Sequence, residues 1–213
     1  LAPSELLTLL RRAEPRMLFV SARYLESTRP LLEQVAGLDL LVDFDQTTGP
    51  EGFEALVAEG EDVEPDVDLA DSDVIGLAFT SGTTGLPKPI VHGHGGITLG
   101  HATALALFTD LGPEDRFSWF STTGWMMWNL VVGALITGAS SVLYEGNPMG
   151  NGKQPETLWT LAEDSGTTFF GTSPTFIALM EKQGFSPKAS LNMDSFEGIL
   201  LGGSPATPDV MGW

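Results

Sequence analysis

Apolar and polar residues follow two different periods along this chain, and the periods alternate from one end to the other. Short apolar runs such as 74–79 and 198–201 are bounded by glycine, serine or acidic residues, which is typical of strands buried in a parallel sheet. Between such runs, apolar residues recur three or four positions apart, as in 97–108, which is the spacing of one helical face. The alternation predicts an α/β fold of layered, mostly parallel sheets flanked by helices.

The predicted elements follow one another in βα order. We expect strands at 17–20, 38–42, 74–79, 117–120, 141–144, 168–170 and 198–201. We expect helices at 4–12, 29–35, 97–108, 125–137, 156–163 and 175–183.

The composition predicts a division into three parts: an α/β segment at 1–58, an acidic linker at 59–73 and an α/β core at 74–213. Eight of the fifteen linker residues are acidic, which is typical of a solvated segment. The chain stops at Trp213 just as a further helix is expected to begin. We therefore expect it to be a fragment of a larger domain.

The formal charge of −18 argues against binding to nucleic acid or to an anionic membrane, since both require positive fields. The chain has no cysteine, so it has no disulfide and no thiolate nucleophile, which fits a cytoplasmic protein. Residues 125–143 carry no charge and are long enough to span a bilayer, but they contain several polar residues and glycines and no flanking basic cluster. We prefer a buried helix followed by a buried strand.

The most informative stretch lies at 80–88, directly after a predicted buried strand. Its glycines allow close backbone approach, its hydroxyls can donate hydrogen bonds, and its lysine can neutralise an oxyanion. It is not a Walker A motif, because two residues separate the second glycine from the lysine and a proline follows. The stretch predicts a polyphosphate-binding loop formed by Thr80, Ser81, Gly82, Thr83, Thr84, Gly85 and Lys88.

This loop resembles the phosphate-binding signature of the adenylate-forming (ANL) superfamily of AMP-binding enzymes, such as acyl-CoA synthetases and luciferases. The sequences at 121–129 (STTGWMMWN) and 143–148 (LYEGNP) look like the acetyl-CoA synthetase branch, and most like its acetoacetyl-CoA synthetase members. The resemblance covers about 72–208 and makes 74–213 the nucleotide-binding part of a large N-terminal domain.

The resemblance implies an acid–thiol ligase. A carboxylate would attack the α-phosphate of ATP, with Mg²⁺ bound, to give an acyl-adenylate and pyrophosphate, and the thiol of CoA would then displace AMP. The small-molecule partners would be a short-chain carboxylate, ATP and CoA. The family's magnesium ligands, its C-terminal lid domain and its catalytic lysine would all lie beyond Trp213, so no metal ligand and no catalytic residue are assigned within this chain.

The resemblance also implies residue roles beyond the loop. Gly203, Ser204 and Pro205 correspond to a turn that contacts adenine, and Trp125, Met126 and Met127 correspond to a wall of the acyl pocket. Acetyl-specific relatives have a valine where this chain has Gly202. The glycine implies room for a longer acyl group such as acetoacetyl, with acetyl or propionyl as the alternative substrate.

Three other hypotheses compete with the ligase: a serine hydrolase, a histidine metal site and a nucleotide-binding fragment without enzymatic activity. Gly202 to Ala206 approximates the G-x-S-x-G elbow of serine hydrolases at Ser204, but Pro205 lacks the N–H that an oxyanion hole requires. His92 and His94 would share a face of a strand and could ligate a metal, but no third ligand is recognisable, so local packing near the predicted phosphate loop is the better explanation. His101 lies on an apolar helical stripe and is better explained as a packed core residue. A nucleotide-binding fragment that only regulates a partner is the non-enzymatic alternative.

Overall fold

The computed structural model describes residues 3–46, 49–79 and 88–213. The helices are α1 (Pro3–Ala13), α2 (Ala22–Leu32), α3 (Phe53–Glu59), α4 (His94–Ala102), α5 (Met126–Gly133), α6 (Thr157–Ser165), α7 (Pro174–Lys182), α8 (Pro187–Ser190) and α9 (Pro208–Gly212). The strands are β1 (Met17–Val20), β2 (Leu40–Asp43), β3 (Val74–Phe79), β4 (Pro89–Gly93), β5 (Arg116–Trp119), β6 (Ser140–Val142), β7 (Phe169–Thr172) and β8 (Gly198–Leu201). A π-helical segment (Thr103–Phe108) continues α4, and a 3-10 helix (Ala134–Thr137) continues α5.

These elements form two compact units. The first contains α1 to α3 with β1 and β2, and the second contains α4 and every element after it, together with most of β3 and β4.

The first unit is built on a parallel pair of strands, β1 and β2, with Val20 opposite Asp43. The start of α2 is fixed from the loop after β2. There the carboxylate of Asp45 accepts hydrogen bonds from the hydroxyl of Ser21 at 2.7 Å and from the backbone N–H of Ala22 at 2.6 Å. These two bonds, the one from Ser21 first, lower the pKa of the Asp45 carboxyl. A carboxylate at a helix N-terminus also interacts favourably with the helix dipole.

The second unit contains a parallel sheet of four strands in the order β6-β5-β7-β8. Its register places Trp119 of β5 opposite Gly171 of β7, and Gly171 opposite Leu200 of β8. Since all of these strands run in the same direction, their carboxyl ends meet at one edge of the sheet. Ligands of open parallel sheets bind beyond such an edge.

Each face of this sheet has its own hydrophobic core, with helices packed on it. On one face the π-helical segment and α5 cover β5 and β7, and the buried residues there are Leu105, Leu111, Phe117, Val131, Ala134, Ala139 and Phe169. On the other face α6, α7 and α9 supply the cover, and the buried residues are Leu158, Trp159, Ala162, Phe170, Ile177, Met180 and Val210. Complete burial of one large apolar side chain contributes about 1.5–3 kcal/mol, so both faces are substantial sources of stability.

The structure confirms the α/β class and most of the predicted elements. The strands at 74–79 and 198–201 have the predicted bounds, and the predicted helix at 125–137 is α5 with its 3-10 continuation, ended by Gly138 at φ 85°. The helix predicted at 29–35 is wrong, because α2 begins seven residues earlier, at Ala22, and ends at Leu32. Helix α3 was not expected. The acidic linker stays a prediction: residues 61–70 are exposed and lie in no helix or strand.

Candidate functional site

The sequence has four polar or glycine-rich stretches that begin at or after the end of a strand, at 80–88, 121–129, 171–174 and 202–205, and in a parallel sheet such stretches are expected to converge at one edge. Three of them follow strands of the four-stranded sheet, at its carboxyl edge. Residues 121–129 follow β5, Ser173 and Pro174 follow β7, and residues 202–205 follow β8. The last two stretches are joined directly, since the backbone N–H of Gly202 donates to the carbonyl of Thr172 at 3.0 Å. The expected convergence of these three stretches at one edge is therefore present.

The fourth stretch is the predicted phosphate loop. Thr80, Ser81, Gly82, Thr83, Thr84 and Gly85 lie outside the described residues. Strand β3 leads into the loop, and Lys88 follows it as an exposed residue immediately before β4. The phosphate-binding role of these seven residues stays a prediction.

The turn after β8 is exposed and has a defined backbone shape. Gly203 adopts φ 95°, in the left-handed region that glycine occupies without strain, and Ser204 and Pro205 follow it on the surface. Helix α9 begins only at Pro208, where the Thr207 hydroxyl accepts a hydrogen bond from the Val210 backbone N–H at 3.4 Å.

This geometry does not suit a nucleophile elbow. The elbow requires a sharp turn from strand straight into helix, whereas here two residues separate Pro205 from the start of α9 at Pro208. The three histidines of the chain lie on β4 and α4, not after Ser204.

The predicted acyl wall forms the beginning of α5. Trp125 is the N-cap residue in extended conformation, and its backbone N–H donates to the carbonyl of Thr122 at 3.0 Å. The side chains of Trp125 and Met126 are 69% and 63% exposed, whereas Met127 is half-buried. Large exposed apolar side chains at a strand end are suited to contact with a ligand.

The rest of α5 places this wall on one particular face of the sheet. Leu130 and Val131 pack in the core that contains Phe117 of β5, and the hydroxyl of Ser141 on β6 donates to the carbonyl of Val131 at 2.7 Å. Trp119 packs against the same core. The start of α5 and the indole of Trp119 therefore lie on the same face of the sheet.

The structure adds one residue that sequence reasoning missed at the sheet edge, Trp119. Its ring crosses the face of Gly171, where a methyl group would overlap the indole. A Cβ on Gly202 would lie 3.1 Å from Cη2 and 3.2 Å from Cζ2 of the same ring. The room that Gly202 was expected to provide is thus partly filled by Trp119. In the sequence, only Gly171 and Gly202 indicated this arrangement. Their contact with Trp119 depends on the register of the strands.

His92 and His94 lie on different elements of the structure. Strand β4 ends at Gly93 and His94 begins α4, so the expected common strand face of His92 and His94 is absent. Among residues 3–46, 49–79 and 88–213, no group of three or more potential metal ligands of the His, Cys, Asp or Glu type occurs.

His101 packs against α5 as expected, but it is half-buried and lies outside both cores of the sheet. Its imidazole packs against Gly133 of α5, so closely that a Cβ at position 133 would overlap the ring. Burial, and secondarily the nearby His92, lowers the pKa of His101.

The uncharged stretch at 125–143 is not a single helix, because α5, the 3-10 helix and β6 divide it. Within the described part of the chain, no helix has both the length and the apolar character needed to cross a bilayer.

The fold and the strand-end site together define a class of protein. The sequence model of the AMP-binding enzyme family matches residues 1–213, and the chain belongs to that family.

Individual relatives agree with this assignment. The chain is 40% identical over 129 residues to an acetoacetyl-CoA synthetase of Gallus gallus, an alignment that covers 61% of this chain and 19% of the chicken protein. It is 32% identical over 146 residues to a malonamoyl-CoA synthetase of Penicillium aethiopicum, covering 63% of this chain and 20% of that protein. The solved structure of an acetoacetyl-CoA synthetase from Streptomyces lividans superposes with a TM-score of 0.84 at 33% identity, over 98% of this chain and 34% of that one. The resemblance to acetoacetyl-CoA synthetases is confirmed, and the chain spans between a fifth and a third of these relatives.

Proposed function

We propose that the gene product carrying this chain is an acid–thiol ligase that forms acetoacetyl-CoA, or a similar short-chain acyl-CoA, from the carboxylate, ATP and CoA. One observation carries the proposal: the start of α5 and the turn after β8 lie at the same edge of the sheet, in a chain of the AMP-binding family. The naming of the matched relatives for acyl-CoA synthesis supports the same activity.

The proposed reaction has two steps. In the first, a carboxylate oxygen of the acid attacks the α-phosphorus of ATP, and the bond from that phosphorus to the pyrophosphate oxygen breaks. In the second, the CoA sulfur attacks the acyl carbon, the bond to the AMP oxygen breaks, and the thiol proton is lost to solvent. Catalysis of the first step relies on positioning and on electrostatic stabilisation of phosphoryl charge.

The proposed residue roles follow the strand ends. Thr80, Ser81, Gly82, Thr83, Thr84, Gly85 and Lys88 would hold the β- and γ-phosphates, Gly203, Ser204 and Pro205 would contact adenine, and Trp125, Met126, Met127 and Gly202 would border the acyl group. The Mg²⁺ that accompanies ATP would neutralise phosphate charge when bound. We assign no ligand for it within this chain.

The acid is proposed to be short and to carry a carbonyl at C3. Acetoacetate and malonamate, the acids for which the matched relatives are named, both have this group and nearly the same length. A C3 carbonyl can accept a hydrogen bond that acetate and propionate cannot, and a site built around such a bond rejects analogues that lack it more strongly than pocket volume alone does. We further propose a cytoplasmic setting and no nucleic acid or membrane partner.

Pyrophosphate exchange into ATP tests the proposal on the full-length gene product, with acetoacetate, acetate and propionate as acids. We expect the highest kcat/KM with acetoacetate. Exchange only with acetate or propionate would contradict the substrate, and no exchange with any short acid would contradict the ligase activity.

Two variants separate the roles within the same assay. Lys88→Ala should lower kcat/KM for ATP roughly 10- to 100-fold, because a hydrogen bond from a charged donor is worth about 1.5–3 kcal/mol. Lys182→Ala is the matched control and should retain the exchange, since Lys182 is an exposed lysine in the last turn of α7, at the opposite end of that helix from Ser173. A serine hydrolase would instead lose its activity with Ser204→Ala and would react with a fluorophosphonate probe.

A further inference from the structure

Trp119 is the last residue of β5, and the register brings two positions without side chains to it. Gly171 lies directly opposite on β7, and Gly202 follows β8, the next strand beyond. The indole passes over the first glycine and ends at the second, with Cη2 and Cζ2 3.1 Å and 3.2 Å from the position of a Cβ on Gly202. The ring can cross the first position only because it is glycine, since a Cβ on Gly171 would overlap the indole, and a Cβ on Gly202 would be in tight contact with the far edge of the ring.

The inner part of the indole is anchored in the core. Its ring and that of Phe117, two residues earlier on the same face, make an edge contact with centroids 6.5 Å apart. Phe117 is fully buried and Trp119 is half-buried. The indole thus has one side packed in the core and another side that reaches the open sheet edge.

The exposed part of the Trp119 ring lies on the same face of the sheet as the start of α5. Leu130 and Val131 hold α5 on this face, and Trp125 and Met126 extend from its first turn with most of their surface exposed. The Trp119 ring and the start of α5 therefore lie on the same face of the sheet, at its carboxyl edge.

We infer that Trp119 closes the inner end of the acyl pocket and sets the length of acyl chain that the site accepts. The inference rests on the proposed function. In this arrangement Gly202 does not simply enlarge the pocket, because the space freed by its missing side chain contains the indole. Trp119, Gly171 and Gly202 act as one unit: the large flat side chain from β5 lies where side chains at positions 171 and 202 would otherwise project.

Chain-length preference tests the inference on the full-length gene product. We expect Trp119→Leu to raise the ratio of kcat/KM for 3-oxohexanoate to that for acetoacetate by about tenfold or more, since each methylene admitted to an apolar pocket is worth a factor of roughly 10–200. Trp213→Leu is the matched control, because Trp213 is also half-buried but packs on Trp159 in the core of the opposite face. It should leave the ratio unchanged.

The outcomes are distinguishable from failure of the proposed function. A wild-type protein that activates acetoacetate, with a Trp119→Leu variant that loses activity equally for both acids, overturns the inference alone. A wild-type protein that activates neither acid overturns the proposed function and the inference with it.

A stability measurement tests the three-residue unit without any assay of activity. Valine at position 202 would force its side chain into the Trp119 ring, so Gly202→Val should lower the thermal midpoint. The same change made in a Trp119→Leu background should lower it by clearly less. Equal losses in the two backgrounds would show that Trp119 does not occupy this space and would overturn the inference.

Discussion

The two faces of the four-stranded sheet each hold a tryptophan, and the two are packed in opposite ways. Trp159 of α6 is fully buried, with its ring centroid 4.6 Å from that of Phe170 and 5.6 Å from that of Trp213. Trp119 of β5 is half-buried and lies against glycines. A ring packed among other rings maximises buried apolar area, whereas a ring laid over glycines shapes a surface.

The difference separates stability from function on one scaffold. The indole Nε1 of Trp159 is the one buried side-chain nitrogen or oxygen atom of the described residues that has no hydrogen-bond partner within the protein. Such an unsatisfied group costs about 1–3 kcal/mol, and the aromatic packing must exceed that cost. The Trp119 face gives up such packing at the strand ends, where the proposed ligands bind.

The largest expected effect follows from truncating the enclosed tryptophan. Trp159→Ala should reduce the free energy of unfolding by about 3–5 kcal/mol, through loss of buried area and the cavity left behind. Urea unfolding of the gene product measures this change. Trp119→Ala is the comparison and should cost clearly less, because its side chain is only partly buried whereas that of Trp159 is fully buried. Equal losses would remove the distinction between the two faces.

A smaller effect is expected from adding one methyl group under the Trp119 ring. Gly171→Ala would overlap the indole and should cost about 1–3 kcal/mol, the usual range for overpacking. Gly100→Ala in α4 is the matched control, since a Cβ there meets nothing within 4 Å and an alanine in a helix is favoured over glycine by roughly 0.5–1 kcal/mol. Thermal unfolding should therefore shift in opposite directions. A Gly171→Ala protein as stable as the control would contradict the placement of the ring.

The face of the sheet that carries the core around Trp159 was easier to predict from sequence than the Trp119 face. Strands such as β8 and helices such as α7 are marked locally, by apolar runs and by a proline at the first helical turn. The polar stretches that follow strands could be assigned to one edge, because parallel strands share their carboxyl edge.

Features that depend on distant residues were not predictable in this way. The contact of Trp119 with Gly171 and Gly202 exists only once the register of three strands is known. The start of α2 is fixed by the carboxylate of Asp45, 23 residues beyond Ala22, which accepts hydrogen bonds from Ser21 and Ala22. Short-range patterns specify elements, and long-range pairing decides which side chains meet.

The smallest expected effect concerns pH and the helix layer above the Trp119 face. Burial against α5, and secondarily the charge of His92, lowers the pKa of His101 from its ordinary value of 6.5. The unfolded chain therefore binds the proton more readily than the folded one. Stability should be greatest above pH 6.5 and should fall as the pH drops from there toward the lowered pKa of the folded state.

Replacement of the imidazole should remove this dependence. In His101→Gln the free energy of unfolding should fall less between pH 7 and pH 5 than in the wild type, roughly the range in which a histidine near 6.5 titrates. His92→Gln should remove only the smaller share of the slope, because burial is the larger cause. If His92→Gln reduced the pH dependence of the free energy of unfolding more than His101→Gln, charge repulsion rather than burial would be the main cause of the lowered pKa of His101. The helix layer on this face of the sheet would then be packed more loosely than the one around Trp159.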